Sequence, residues 1–307
     1  MRLHSTKWTR REFVTAATAF YGCRLFGEPD GHGAPLVRFG LVTDLHYADI
    51  EPWPGHGERS RYFRESLRKL DDAIVAFNGR KTDFVIELGD FKDKTKGHDE
   101  TLHALARIEQ SFSRFQGPRY HVAGNHDFDC ISPEEFFSRT PNNGTVTEKG
   151  WYSFVTGGVT FVVLNACFTS DGKPYCRNNP WTDANIPAEE MEWLRRELSA
   201  AKGHVVVFCH QRLDPSAERH HLIKNAAAVR ETLEKSGKVR AVVMGHQHGG
   251  GQSVVNGIPY YCLRAMVCDT GKDEGCYAEA TIYPDGAFTV TGWRRAKPMS
   301  FPVSGKA

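Results

Sequence analysis

Five short polar clusters in this 307-residue chain carry side chains suited to one chemistry, the binding of divalent metal ions. They are Asp44-Leu45-His46, Gly89-Asp90-Phe91-Lys92-Asp93, Gly124-Asn125-His126-Asp127, His210, and Gly245-His246-Gln247-His248. Carboxylate oxygen, imidazole nitrogen and amide oxygen in one set suit manganese, iron or zinc. No cysteine falls inside the clusters, which argues against a thiolate zinc site. In Asp44-x-His46, side chains two apart on an extended segment point to the same side, so both can reach one ion. The glycines before Asp90, Asn125 and His246 permit sharp turns and close backbone approach. Taken singly, an Asp-x-His is weak and a Gly-Asp is a turn signal. Gly-Asn-His-Asp is far more specific, because Asn and His in tandem after an apolar run are a poor choice for packing.

The elements that must position these side chains repeat one pattern. Each cluster begins where an apolar strand ends: Val42-Thr43 precedes Asp44, Val85 to Leu88 precede Gly89, and His121 to Ala123 precede Gly124. Val205 to Cys209 lead into His210, and Ala241 to Met244 into Gly245. In α/β sheets ligands bind in the crevice beyond the carboxyl ends of the strands. Five such ends therefore predict one shared site. β-Branched runs predict strands over 36–43, 84–88, 119–123, 205–209 and 239–244. Apolar spacing predicts helices over 58–78 (Phe63, Leu67, Leu70, Ile74, Phe77), 100–115, 187–201 and 224–235. Residues 151–156 and 159–165, joined by Gly157-Gly158, read as a hairpin. The tail over 253–293 reads as short strands with turns at Asn256-Gly257 and Asp285-Gly286. Strands and helices that alternate, then yield to a β-rich tail, predict an α/β fold with helices outside the sheets. Residues 34–307 are expected to form this single domain.

Composition narrows the partners. Lys plus Arg is 39 and Asp plus Glu is 37, a net charge of +2 with no long basic run. A protein that tracks nucleic-acid phosphates shows a basic face or tract, so no such partner is expected. No run nears eighteen consecutive apolar residues, so no membrane-spanning helix is expected. The eight cysteines show no CxxC pair and do not read as a disulfide framework. Cys209 lies within a strand and reads as a core residue, whereas Cys176, Cys268 and Cys276 lie in polar loops as candidates for pairing after export. Residues 1–33 differ from the rest. Thr9-Arg10-Arg11-Glu12-Phe13-Val14 puts paired arginines before a weakly apolar stretch and resembles a twin-arginine export signal. Export beyond the cytoplasm is thus the expected localisation, with a cytoplasmic protein bearing a basic N-terminus as the alternative.

Motif by motif and in order, the five clusters resemble those of the calcineurin-like metallophosphoesterases, over residues 36–295. The resemblance implies a two-sheet β-sandwich flanked by helices, a four-layer αββα arrangement, with a dinuclear metal centre at the strand ends. It implies that Asp44, His46, Asp90 and His248 hold one ion. Asp90, Asn125, His210 and His246 would hold the other, with the Asp90 carboxylate bridging. His126 would protonate the leaving oxygen or stabilise charge on the phosphoryl group, Asp127 would orient His126, and Asp93 would support from behind. Two ions about 3.5–4 Å apart clamp the attacking and leaving oxygens and lower the pKa of a bound water, so that hydroxide attacks near neutral pH.

A narrower likeness points to the substrate. Asp44-Leu45-His46-Tyr47-Ala48-Asp49, Arg61-Tyr62-Phe63-Arg64-Glu65-Ser66-Leu67, Gly245-His246-x-His248-x-Gly250-Gly251 and Tyr283-Pro284-Asp285-Gly286 resemble the manganese-dependent ADP-ribose/CDP-alcohol diphosphatases. That group often carries Gln where His46 stands and Glu where Asp127 stands. The likeness favours manganese and a small nucleotide-like or phosphorylated substrate cleaved at a phosphoester or pyrophosphate bond. Phosphomonoesterase or nuclease activity on the same site, and a non-catalytic metal-binding scaffold, are the alternatives. Arg61 and Arg64, spaced i, i+3 near the start of a predicted helix, suit phosphate oxygens. Tyr47, Phe91 and Trp181 are aromatics near the clusters that could stack on a base. His56, His98, His220 and His221 lie outside the clusters and read as surface residues.

Overall fold

The computed structural model describes residues 32–55, 59–143 and 147–302. The leader expected over 1–33 lies outside the described residues, His32 and Gly33 apart. His56 lies outside them too.

Among the described residues, twelve strands form two six-stranded sheets. The first holds β1 (Val37–Val42), β2 (Phe84–Glu87) and β3 (Arg119–His121), parallel to one another. It continues antiparallel through β10 (Tyr277–Ile282), β11 (Phe288–Trp293) and β12 (Met299–Phe301). The second runs β4 (Tyr152–Thr156), β5 (Val159–Val163), β6 (Val205–Cys209), β7 (Val239–Met244), β9 (Ile258–Cys262) and β8 (Gly251–Val255). Its four central strands are parallel and its two edges antiparallel.

Alternation along each strand decides what the sheets bury. Phe39, Leu41, Phe84 and Ile86 meet Phe161, Val163, Val206 and Phe208 in the core between the sheets. Phe39 stacks on Phe84 at 4.9 Å, and Phe161 meets both edge-on. The opposite faces bury against helices. Val42 and Val85 pack on Leu70, Ile74 and Phe77 of α1 (Ser66–Arg80) and Leu105, Ile108 and Phe112 of α2 (His98–Phe112). Val207, Cys209 and Val242 pack on Leu194 and Leu198 of α4 (Ala188–Ala200) and Val229 and Leu233 of α5 (Ala226–Ser236). A one-turn helix α3 (Pro133–Phe137) follows β3, capped by Ser132. The result is the expected helix–sheet–sheet–helix sandwich.

Two local expectations need correction. The first long helix begins at Ser66 and not near 58, because Arg61 exchanges two backbone hydrogen bonds with Trp53 (2.8 and 2.9 Å) in an extended bridge. Phe63 leaves the helical stripe for a separate cluster with Ala48, Ala265 and Cys268. The three loop cysteines form no disulfide with one another either. Cys176 is exposed while Cys268 and Cys276 are buried. Among the described residues no helix is long and apolar enough to cross a membrane.

Candidate metal centre

Parallel pairing brings the carboxyl ends of β1, β2 and β3 to one edge of the first sheet, and those of β6 and β7 to one edge of the second. Cross-links join the two edges. His210 Nδ1 donates to the carbonyl of Leu88 at 2.8 Å, and the His246 amide donates to Asp44 Oδ2 at 3.0 Å. Asp44, His46, Asp90 and His246 all hold left-handed backbone, at φ of 49°, 45°, 56° and 69°. For residues other than glycine this costs of order 1–3 kcal/mol each, and such strain gathers where side-chain placement matters. Asp44 and His46 thus reach the same space through left-handed backbone, not through the extended segment expected. The glycines are fixed by proximity. A Cβ on Gly124 would lie 2.1 Å from the Asp90 amide, one on Gly245 2.1 Å from Thr43 Oγ1, and one on Gly89 2.5 Å from His210 Nδ1.

Three ligand-type clusters meet here. Asp44, His46 and His248 lie within coordination reach of one another, as do Asp90, His210 and His246, and also His46, Asp90 and His126. His46 Nε2 and His248 Nε2 face each other at 3.1 Å, and Asp44 Oδ1 lies 3.4 Å from His248 Nε2. Asp90 Oδ2 stands between the groups, 3.5 Å from His46 Nε2 and 3.2 Å from His210 Nε2. The far nitrogens are held from behind: His46 Nδ1 by Asp93 at 2.9 Å, His248 Nδ1 by the Cys268 thiol at 3.3 Å. Such backing fixes ring angle and tautomer.

The donor set passes a stricter test. Asp44 Oδ1, Asn125 Oδ1, His210 Nε2 and His246 Nε2 are buried and have no hydrogen-bond partner. Each such atom costs about 1–3 kcal/mol unless something satisfies it. Two divalent cations would satisfy all four. Electrostatics agree. Burial alone would lower the pKa of His46, yet the nearby Asp44 carboxylate, the hydrogen bond to Asp93 and the charge of Asp90 push it up to about 9. Burial likewise opposes charge on His210, and Asp90 overrides it, to about 9.

Comparison with known proteins agrees with this geometry. Residues 37–250 match the calcineurin-like phosphoesterase family. The chain belongs to that family. It is similar to the manganese-dependent ADP-ribose/CDP-alcohol diphosphatase of Oryza sativa subsp. japonica, 28% identical over 83% of this chain and 91% of that protein. The Arabidopsis thaliana protein of the same name is 27% identical over 87% of this chain and 97% of its own length. A dimetal phosphatase from Danio rerio shares the fold with a TM-score of 0.76 at 22% identity, covering 88% of this chain and all of that one. This chain is therefore a hydrolase of phosphoester bonds, with side chains suited to metal ions gathered at its strand ends.

Other residues of this phosphoesterase fall where the sequence did not predict. The Asp127 carboxylate makes no hydrogen bond with the His126 ring. It accepts from the amides of Asp90 (3.1 Å), Phe91 (2.9 Å) and Gly124 (2.8 Å), tying the β2 and β3 loops together. His126 Nδ1 instead engages Asp129 Oδ2 at 2.7 Å, with Asp93 at 3.7 Å. An i, i+3 pair on a helical turn faces one way, and His126-x-x-Asp129 carried that signal unread. Arg64 is spent on Asp49 and Glu51 at 2.6 and 2.7 Å and is largely exposed. Arg61 lies nearer the centre, 3.8 Å from the thiol behind His248. Tyr47 is 2% exposed and packs in the core under α1 and α2, and Phe91 is buried against Phe112 and His121. Neither ring is available for a base. His98 is exposed and paired with Asp99 and Glu135, as a surface residue would be. His221 is not a bystander: its ring meets His246 at 5.0 Å.

Two buried lysines also escaped notice. Lys69 Nζ donates to the carbonyls of Met266, Val267, Cys268 and Asp269 at 3.0–3.2 Å, holding the segment that backs His248. Lys92 Nζ donates to the carbonyls of His126 and Asp129, both at 2.6 Å. Neither spacing nor residue type distinguishes such lysines from surface ones.

Proposed function

We propose that this phosphoesterase cleaves the pyrophosphate bond of small nucleotide-like substrates with a pair of divalent ions, manganese by preference. Asp44, His46, Asp90 and His248 would hold one ion. Asp90, Asn125, His210 and His246 would hold the other, with Asp90 shared. The observation that carries this reading is the set of linked groups Asp44–His46–His248 and Asp90–His210–His246, drawn from both sheets, whose ligand atoms lie within coordination reach of one another, with Asp44 Oδ1 and His246 Nε2 buried and without a hydrogen-bond partner. The name printed for the plant relatives supports manganese and the substrate class.

The bound ions supply Lewis acidity and an activated water. The chain's own residues do the rest. His126 is the least buried of the cluster, its side chain 34% exposed, so it can meet a substrate phosphoryl group. Asp129 fixes its Nδ1 and leaves Nε2 to protonate the leaving oxygen or to stabilise charge. Burial disfavours the imidazolium, but Asp90, Asp93 and Asp129 raise its pKa, which suits a proton donor. Arg61, which lies beside the thiol behind His248, would assist with phosphate in place of Arg64 and Tyr47. Export through the arginine pair at 10–11 belongs to the same proposal, and sequencing the mature N-terminus checks it.

Purified protein reconstituted with manganese is the test, run on ADP-ribose, bis(p-nitrophenyl) phosphate and p-nitrophenyl phosphate with elemental analysis alongside. We expect about two metal equivalents per chain, as a dinuclear site requires, and turnover with ADP-ribose as the best of the three. Protein that carries its metal yet turns over nothing on the panel would sink the reading.

A further inference from the structure

We infer that Trp181, backed by His220 and His221, is the wall on which the substrate's planar base stacks, so that phosphoesters bearing a nucleobase are favoured over those of an aliphatic alcohol. This rests on the pyrophosphatase reading and names the part of the site that reads the substrate. Trp181 is 37% exposed, and among the exposed large hydrophobic side chains of the described residues it is the one in ring contact with the centre. Its ring lies 5.5 Å from His246 at 68°, 5.5 Å from His221 at 41° and 5.5 Å from His220 at 79°. His220 and His221 stand 4.2 Å apart, and His221 meets His246 edge-on at 5.0 Å. Four aromatic rings thus run outward from the Asp90–His210–His246 group to solvent.

The wall is built into the centre, not laid loosely beside it. Gln247, between His246 and His248, accepts through its side-chain oxygen from Arg212 Nη1 at 3.0 Å and from the Glu218 amide at 3.3 Å. Arg212 is itself buried, paired with Asp214, and its backbone amide donates to the His221 carbonyl at 3.2 Å. The segment that carries both histidines is therefore pinned to the metal loop. On the other side, the Tyr175 hydroxyl donates to the Pro180 carbonyl at 3.1 Å and the Asp183 amide donates to the same carbonyl at 3.0 Å, fixing the turn that presents Trp181. A site for phosphate alone calls for cationic forks and amides. A half-exposed indole backed by imidazoles offers a π-face, which any base can use because each has a π-face of its own.

The test compares wild type, Trp181→Ala and Trp181→Phe, loaded with manganese. It reads KM and kcat for ADP-ribose, kcat/KM for bis(glycerol) phosphate, and AMP and inorganic phosphate binding by calorimetry. Losing one base-stacking ring weakens binding about tenfold. Trp181→Ala should therefore raise KM for ADP-ribose and Kd for AMP by that factor, cut the preference for ADP-ribose over the aliphatic diester, and spare phosphate binding. Trp181→Phe should recover most of the loss. Unchanged KM and AMP affinity in Trp181→Ala would overturn the inference, as would phosphate binding that weakens in parallel. Because AMP binding is read without catalysis, it tests the wall even if no substrate turns over, a result that would instead overturn the pyrophosphatase reading.

Discussion

A histidine that moves a proton beside two cations needs one nitrogen fixed and the other presented, and His126 meets both conditions through Asp129. Its amide also donates to Asp90 Oδ1 at 2.8 Å, so the proposed proton donor and the proposed bridge are positioned by one contact. Their side chains nonetheless have separate jobs, and variants should separate them. Asp90→Asn is expected to lose both ions and all activity, whereas His126→Ala should cost about a hundredfold or more in turnover with metal content near normal. Elemental analysis decides, and equal metal loss in both variants would refute the division. The neighbouring carboxylates split likewise. Asp129→Asn should lower turnover roughly 10- to 100-fold with the ions retained. Asp127→Asn should instead release metal, because its carboxylate holds the amides of the Asp90 loop. From sequence, Asp127 beside His126 reads as the orienting partner, yet adjacent residues on a turn diverge while those three apart converge.

At the scale of elements, the strand ends were readable because strand residues alternate and apolar runs stop abruptly at the metal loops. The supports behind those loops were not, since they come from distant segments. Lys69 on α1 serves four carbonyls nearly two hundred residues away in sequence. Replacing it with methionine strands those carbonyls in a buried place at a cost of about 2–3 kcal/mol. Thermal unfolding should then occur several degrees lower, and manganese should bind more weakly. An unaltered melting temperature would show that water serves the carbonyls equally well. Glu190 on α4 makes the opposite case. It is fully buried, its Oε1 accepts from the Asn165 amide at 2.8 Å, and its Oε2 has no partner. Burial raises its pKa well above the ordinary 4.5. The folded state thus binds a proton that the unfolded state has lost, so stability falls as pH rises above that ordinary value. Glu190→Gln should flatten this slope, raising the melting temperature more at pH 8 than at pH 5. Parallel melting curves for the two proteins across that range would contradict the assignment.

At the scale of the whole molecule, the centre ties the two sheets together at one end, through His210 to Leu88 and His246 to Asp44. Ions bound there should act as staples. The folded chain gathers the ligands and the unfolded chain does not, so manganese at about a hundred times its Kd should add about 2.7 kcal/mol. For a domain of this size that is roughly 5 °C or more in melting temperature. Scanning calorimetry with and without metal measures it, and Asp90→Asn should abolish the gain. A melting temperature indifferent to manganese in the native chain would show that the site does not bind it in the folded state. What the amino-acid order by itself determined was the layered fold and the set of ligand-type residues, because both rest on local facts: the period of apolar residues, the glycines at turns, and the residue type at each strand end. What only the tertiary structure decided was which neighbour serves which side chain. That Asp129 backs His126, that Tyr47 is buried while Trp181 faces the centre, and that His221 joins the site all depend on contacts between segments far apart in the chain, which no local pattern encodes.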